Sequence, residues 1–294
     1  MGQESVGAPG VKERITAIVE DVDSLPSLPS IVLKLIEVVN SPDSAADDAA
    51  ELIEKDPALT SKMIRLANSA FYGIPRSISS VTSAVVVLGF NTIRSLVLSA
   101  SVAKMFDGKH SLDIDRFWKH SVVTAMASKN IVRHFMTVRM MDPESAFCAG
   151  VMHDIGKLIF SQYMPEDYSV VCSYARDNKV SLVEAEDKIM GVNHAQMGKI
   201  LSDRWSLPLD LEYGIVHHHN PAGADKAQNL VNIIHLSDII AHDLGCNLWD
   251  DEVHMKEGAA CRAELKIGDA DYLKIVSNIE SSLDKSQDFL AILK

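Results

Sequence analysis

Apolar residues recur at helical spacing between prolines and capping residues along most of this chain, and no segment sustains the alternation of a half-buried strand. That pattern restricts the chain to an all-α architecture. Residues 1–10 read as a flexible leader, and a first helical pattern runs from 11 to about 22. The segment SLPSLPS at residues 24–30 interrupts it, because each proline disfavours helix in the residue before it. A helix over 31–39 stops at Asn40, Ser41 and Pro42. Asp56 and Pro57 read as an N-cap followed by proline at the first helical position, with Leu59, Met63, Leu66 and Ala70 on one face. Asn68 and Ser69 fall at that helix's end, where capping accounts for both. The segment 80–88 carries a β-branched run at 85–87 but lies between helix caps and closes at Gly89. Asn91 is a candidate cap for a further helix over 92–106.

Residues 11–106 thus read as one compact helical subdomain, without histidine or cysteine. The stretch 107–111 is a plausible boundary. A second helical subdomain over 107–245 follows, with helices expected at 115–136, 143–163, 182–190, 194–205, 208–218 and 227–244. An acidic segment over 246–294 is expected to add one or two amphipathic helices.

Charge narrows the function. Forty acidic against 28 basic residues give a net charge of −12, a surface that repels nucleic-acid phosphates and anionic lipid. Broad nucleic-acid binding and membrane association are therefore not expected, although a bound metal can reverse the field locally. Cys148, Cys172, Cys246 and Cys261 form no CxxC pair and read as reduced cytosolic thiols. No basic region precedes an apolar run at the N-terminus, and the longest apolar runs, such as 84–88, are too short to span a bilayer. A soluble, cytoplasmic protein is the expectation.

All eleven histidines lie after residue 109. The sharpest local signal is His153-Asp154, set among Val151, Met152, Ile155, Leu158 and Ile159. Two such polar groups are costly to bury unless something satisfies them, and a metal ion does so directly. One pair cannot complete a coordination shell. Further candidates are His120 on an otherwise apolar helix, His194 at a helix start, the run His217, His218 and His219 at a helix end, and Asp238 among apolar residues. His235 lies three residues before Asp238, on roughly the same helix face. His217 reads as exposed or outside the ligand set. His110, His134, His242 and His254 read as surface or structural residues.

The order His120, His153-Asp154, His194, His218-His219, Asp238 resembles the HD phosphohydrolase superfamily, in the fuller version found in HD-GYP phosphodiesterases. The N-terminal half is similar to the HDOD domain, an HD-related output domain of bacterial regulators. The residues that carry this are LPSLP at 25–29, IEKDPAL at 53–59, LANS at 66–69, AVVVLG at 84–89 and RSLVL at 94–98. WSLP at 205–208 and HHNP at 218–221 fit the same family, and the likeness covers about residues 20–245. It implies a helical N-terminal subdomain packed on an HD-domain-like bundle. It also implies a metal site formed by His120, His153, Asp154, His194, His218, His219 and Asp238, with Asp154 and Lys157 as candidate catalytic residues.

An imidazole-rich set with few carboxylates suits one or two divalent ions, with iron, manganese, zinc or nickel as the candidates. The sequence departs from the HD-GYP pattern after His219: Asn220 to Asp225 contains no glutamate and no Gly-Tyr-Pro, so cyclic-di-GMP hydrolysis does not carry over. Three readings stand in order. The first is a signal-transduction module with a retained metal centre and little or no turnover. The second is a metal-dependent phosphohydrolase, acting on phosphodiesters or phosphomonoesters. The third is a protein-interaction module with relic ligands. The partners expected are other signalling proteins or a small phosphorylated ligand.

Overall fold

The computed structural model describes residues 25–41, 43–135, 141–248 and 258–293, together with Gly10, Ile15 and Ile18. The leader at 1–9, most of the helix expected over 11–22, and His254 lie outside the described residues, although Ile15 and Ile18 are helical. Among the described residues every regular element is helical and there is no strand, as the periodicity requires.

The N-terminal helices are α1 (Ser30–Asn40), α2 (Ala46–Ile53), α3 (Pro57–Ala67), α4 (Val81–Leu88) and α5 (Phe90–Met105). Asp56 caps α3 as expected, its carboxylate accepting from the Ala58 and Leu59 amides. Asn68 does more than cap. Its amide donates to the carbonyls of Ile64 and Ile78 and its oxygen accepts from the Ile78 amide, which pins the loop between α3 and α4. Asn91 does not cap α5: Gly89, at φ 85°, both ends α4 and starts α5, so Asn91 already lies inside the first turn.

The second group is α6 (Ile114–His134), α7 (Pro143–Met152), α8 (Ile155–Tyr163), α9 (Pro165–Asn178), α10 (Leu182–Ile189), α11 (His194–Arg204), α12 (Leu209–His217) and α13 (Gln228–Asp243). Two expectations need correction, and α2 and α9 fall where no helix was expected. The single helix over 143–163 is broken between Met152 and Ile155, at the His153-Asp154 pair itself. Helix α9 was not anticipated, although Pro165 opens it and Tyr168, Val171, Cys172 and Ala175 form its buried face. The C-terminal segment contains three helices, not one or two: α14 (Gly258–Glu264), α15 (Asp269–Glu280) and α16 (Leu283–Leu293).

Helix α6 is the spine: α7 and α13 pack along it, and α15 and α16 also lie against it. Helix α16 also reaches α3 and α5, with Phe289 ringed by Phe71 and Phe147 at centroid distances of 5.4 and 5.3 Å. Asp288 accepts a 3.0 Å hydrogen bond from the Ala70 amide. One hydrophobic core therefore runs from the N-terminal helices across the 107–113 loop to the C-terminal extension. The Leu-Pro segment before α1 is fastened to the end of α11, where Trp205 donates to the Pro26 carbonyl at 2.8 Å. All four cysteines are buried and form no disulfide with one another. No single described helix is long and apolar enough to cross a membrane; α4 and α5 pass that test only together, bent by 119°.

Two glycines set how closely the site-bearing helices approach. A Cβ on Gly150 would lie 2.6 Å from the Ala125 Cα, so α7 rests directly on the α6 backbone. A Cβ on Gly156 would lie 1.9 Å from the His194 carbonyl oxygen, so α8 touches the first turn of α11. Gly156→Ala must push these helices apart, and overpacking of this kind costs about 1–3 kcal/mol or more. Thermal melting should show the Gly156→Ala midpoint several degrees below wild type. An unchanged midpoint would show that the contact carries no constraint.

Candidate metal centre

The break between α7 and α8 has a local cause. Met152 ends one helix, His153 and Asp154 make a turn, and the chain restarts at Ile155 with the Lys157 amide donating to the Asp154 carbonyl at 2.9 Å. In a continuous helix, adjacent residues project about 100° apart and cannot face one centre together. The turn lets both side chains point inward, where each is at most 1% exposed.

The structure brings together all seven expected ligands. His120 comes from α6, His194 from the first residue of α11, His218 and His219 from the end of α12, and Asp238 from the middle of α13. Six are buried, and His219 is half-buried. Their ligand atoms form two groups, each within 4.8 Å: His120, His153 and Asp238 in one, and Asp154, His194, His218 and His219 in the other.

Asp154 joins the groups. Its Oδ2 lies 3.3 Å from His153 Nε2 and 3.6 Å from His120 Nε2. Its Oδ1 lies 3.1 Å from His194 Nε2 and 3.4 Å from His218 Nε2. Asp238 Oδ1 completes the first group, 3.1 Å from His120 Nε2.

Four of the five imidazoles are held by their other nitrogen, three of them by backbone carbonyls. The Nδ1 of His120 meets the Cys246 carbonyl at 2.9 Å, that of His153 the Gly150 carbonyl at 2.8 Å, and that of His218 the Ile215 carbonyl at 2.7 Å. A carbonyl only accepts, so Nδ1 must carry the proton and Nε2 presents a lone pair. The Nε2 atoms converge: those of His120 and His153 are 3.3 Å apart, those of His194 and His218 3.3 Å, and those of His194 and His219 2.8 Å. One proton relieves one such pair, whereas a cation relieves a whole group. Two donors each about 2.1 Å from an ion and at right angles stand about 3.0 Å apart, which is the spacing found here. Asp154 Oδ1 and Asp238 Oδ1 are buried and face imidazole nitrogens, as ligand oxygens would. The residues fit a metal.

The electrostatics agree. Burial opposes charge on Asp154, but His153, Lys157 and His194 outweigh it and hold its carboxyl well below the usual range. Asp238 is held down similarly, with His120 and His242 overcoming burial. Burial, reinforced by the neighbouring histidines, pulls His218 down to about 4 and His219 well below its ordinary value, so both are neutral at pH 7. Against burial, Glu186 and Asp154 push His194 up to about 9, so metal binding there must displace a proton.

Three contributors escaped the sequence reading. Glu186 Oε2 accepts from the His194 backbone amide at 2.8 Å and from its Nδ1 at 2.6 Å, and Tyr168 Oη donates to Glu186 Oε1 at 2.7 Å. The carboxylate lies one helical turn after Leu182, on the buried side of α10, which was the available signal. His242, expected to be surface or structural, has its Nε2 3.5 Å from Asp238 Oδ1 and its ring 5.2 Å from that of His120. His235, Asp238 and His242 recur at helical spacing, which could have revealed it. The Cys246 carbonyl has no signature. His235 anchors the His218 carbonyl through its Nδ1 at 2.6 Å, and His217 packs on Tyr213 outside the centre. Lys157, the other candidate catalytic residue, donates to Asp154 Oδ2 at 2.6 Å.

This fold and site define a helical protein of the HD-like class. The HDOD domain model matches residues 25–221, and the chain belongs to that family. Similar solved structures include an HDOD domain protein of unknown function from Geobacter sulfurreducens, 26% identical, covering 97% of this chain and 99% of that one with a TM-score of 0.79. A proposed phosphohydrolase from Shewanella amazonensis SB2B is also 26% identical, with coverage of 95% and 98% and a TM-score of 0.74. A proposed signal transduction protein from Marinobacter aquaeolei VT8 shares the fold at 19% identity, with coverage of 97% and 66% and a TM-score of 0.81. An uncharacterized protein of Treponema pallidum (strain Nichols) is 23% identical over 221 residues; the match spans 74% of this chain but only 42% of that relative.

Partners that orient metal-binding histidines typically change affinity 10- to 100-fold when removed. Glu186→Gln should weaken metal binding by about that factor in competition with a chelator, whereas His217→Ala should leave it unchanged. Wild-type affinity in the Glu186 variant would exclude the anchoring role.

Proposed function

We propose that this chain is a bacterial signal-transduction protein whose HDOD core retains a two-ion His/Asp centre, with little or no turnover. The observation that carries the reading is the placement of Asp154, whose two oxygens face two separate imidazole groups. His120, His153 and Asp238 would hold one ion, His194, His218 and His219 the other, and Asp154 would be shared. Iron, manganese, zinc and nickel suit so many imidazoles. Bound divalent ions supply Lewis acidity toward a phosphate and make water more acidic.

The chain's own residues do the rest. The Nδ1 anchors keep the Nε2 lone pairs directed inward, and Glu186 balances the charge at His194. Lys157 orients Asp154 Oδ2 and places a cation beside the position a phosphate would take. His219 is the half-buried ligand and sets the side from which a small phosphorylated ligand would approach. The turn Pro221–Gly223 follows it without the glutamate or Gly-Tyr-Pro associated with cyclic-di-GMP hydrolysis. That departure and the regulatory character of the HDOD family support signalling over turnover, with other signalling proteins as partners.

The second reading, a metal-dependent phosphohydrolase, is supported by the likeness to the 26%-identical Shewanella protein and by Lys157 at the shared carboxylate. The third, relic ligands, fits poorly with so many intact anchors.

The purified, metal-loaded protein should retain its metal yet hydrolyse no member of a panel of phosphomonoesters, phosphodiesters and cyclic-di-GMP. Asp154→Ala should lose metal from both groups, because each loses its shared carboxylate. Metal-dependent hydrolysis that vanishes in Asp154→Ala would establish the enzyme reading instead.

A further inference from the structure

A second site lies at the far end of the helix pair that carries the metal centre. Helices α6 and α7 run antiparallel, so the C-terminal turns of α6 meet the first turn of α7. Lys129 on α6 is nine residues beyond His120, and Glu144 on α7 is nine residues before His153. At 1.5 Å per residue, both lie about 13 Å along the helix axes from the metal ligands.

There the N-terminal helices, the second subdomain and the C-terminal extension enclose a cavity of about 340 Å³. Its polar lining is unbalanced. Glu144, 9% exposed, pairs with Lys129 through Oε1, while its Oε2 is buried with no hydrogen-bond partner among the described residues. Asn130 Oδ1 and Tyr72 Oη are buried and unpartnered in the same way. A buried polar atom without a partner costs about 1–3 kcal/mol, so three around one cavity mark a place where something else completes them.

Lys129 does not fill that role. Its ammonium is spent on Glu144 and on the faces of Phe71, Tyr72 and Phe147, at 5.6, 5.1 and 5.4 Å from the ring centroids. Its effect is to fix Glu144 with Oε2 left over. Arg133 and Lys285, both exposed, add positive charge at the rim, and Leu88, Met126 and Ile279 supply apolar wall. In a chain of net charge −12, a cavity with three cations and one carboxylate is a local reversal of sign.

We propose that this cavity binds a purine nucleoside monophosphate, with the phosphate at Arg133 and Lys285 and the base edge at Glu144 and Asn130. Two unpartnered acceptor oxygens call for two N–H donors on one rigid group. Guanine's imino and amino groups supply them, whereas adenine offers only its amino group. The apolar wall suits a flat ring, and a volume near 340 Å³ matches a molecule of mononucleotide size. The site is separate from the metal centre and does not rest on the reading of that centre.

Isothermal titration of the full chain with GMP, AMP and inorganic phosphate tests this. GMP should bind one per chain with micromolar affinity, and AMP and phosphate at least about tenfold more weakly. Arg133→Ala/Lys285→Ala, which changes only exposed side chains, should weaken GMP about tenfold or more, and Asp154→Ala should leave its affinity unchanged. Glu144→Gln should abolish the preference for GMP over AMP; its melting curve will show whether the Lys129 pairing is still satisfied. Three results would each overturn the proposal: no GMP binding at millimolar concentration, phosphate binding as tightly as GMP, or GMP binding lost in Asp154→Ala and kept in the rim variant.

Discussion

A carboxylate placed between two groups of imidazoles is unstable in a protein interior unless cations accompany it, and the rest of this structure is arranged around that condition. Asp154 is 1% exposed, yet its two oxygens each meet two imidazole nitrogens within 3.6 Å. Such a group needs a backbone that presents it, neighbours held in one tautomer, and helices close enough to deliver them. The break between α7 and α8 meets the first need, the carbonyls of Gly150, Ile215 and Cys246 the second, and the glycine contacts at Gly150 and Gly156 the third. Each is a local solution, and all converge on one point.

The extent of the fold follows from the same requirement. Five separate stretches of chain deliver these histidines and aspartates, so their helices must be fixed relative to one another by packing that the site itself does not supply. Helix α6 provides it, because α7, α13, α15 and α16 all lie against it. The Phe71–Phe289–Phe147 cluster ties the N-terminal helices and the extension to the same spine. At the other end of α6, Lys129 and Glu144 form a second buried charged pair, and there the mismatch between polar atoms and partners is met by a cavity.

Much of this was legible in the sequence. Helix periodicity and the Asp56-Pro57 cap marked α1, α3, α4 and α5 but not α2, and the ordered histidines and aspartates marked the side chains that the fold gathers. What escaped depends on contacts that sequence spacing does not encode. The break at His153-Asp154 interrupts an apolar run that reads as one helix, because a turn there is favoured by the inward-facing pair and not by a proline or a cap. Glu186 resembles any acid on a charged helix until its distance to His194 is known. Asn91 failed as a cap because Gly89 starts the helix two residues earlier. The extension held more helix than its mixed, acidic composition suggested.

The central claim is that Asp154 is a shared ligand, and anomalous diffraction from crystals of the metal-loaded protein tests it most directly. Two anomalous peaks should flank the Asp154 carboxylate, about 3.5–4 Å apart as in two-metal sites, one beside His120 and His153 and the other beside His194 and His218. A single peak bound by only one group, with Asp154 turned away from the other, would contradict it.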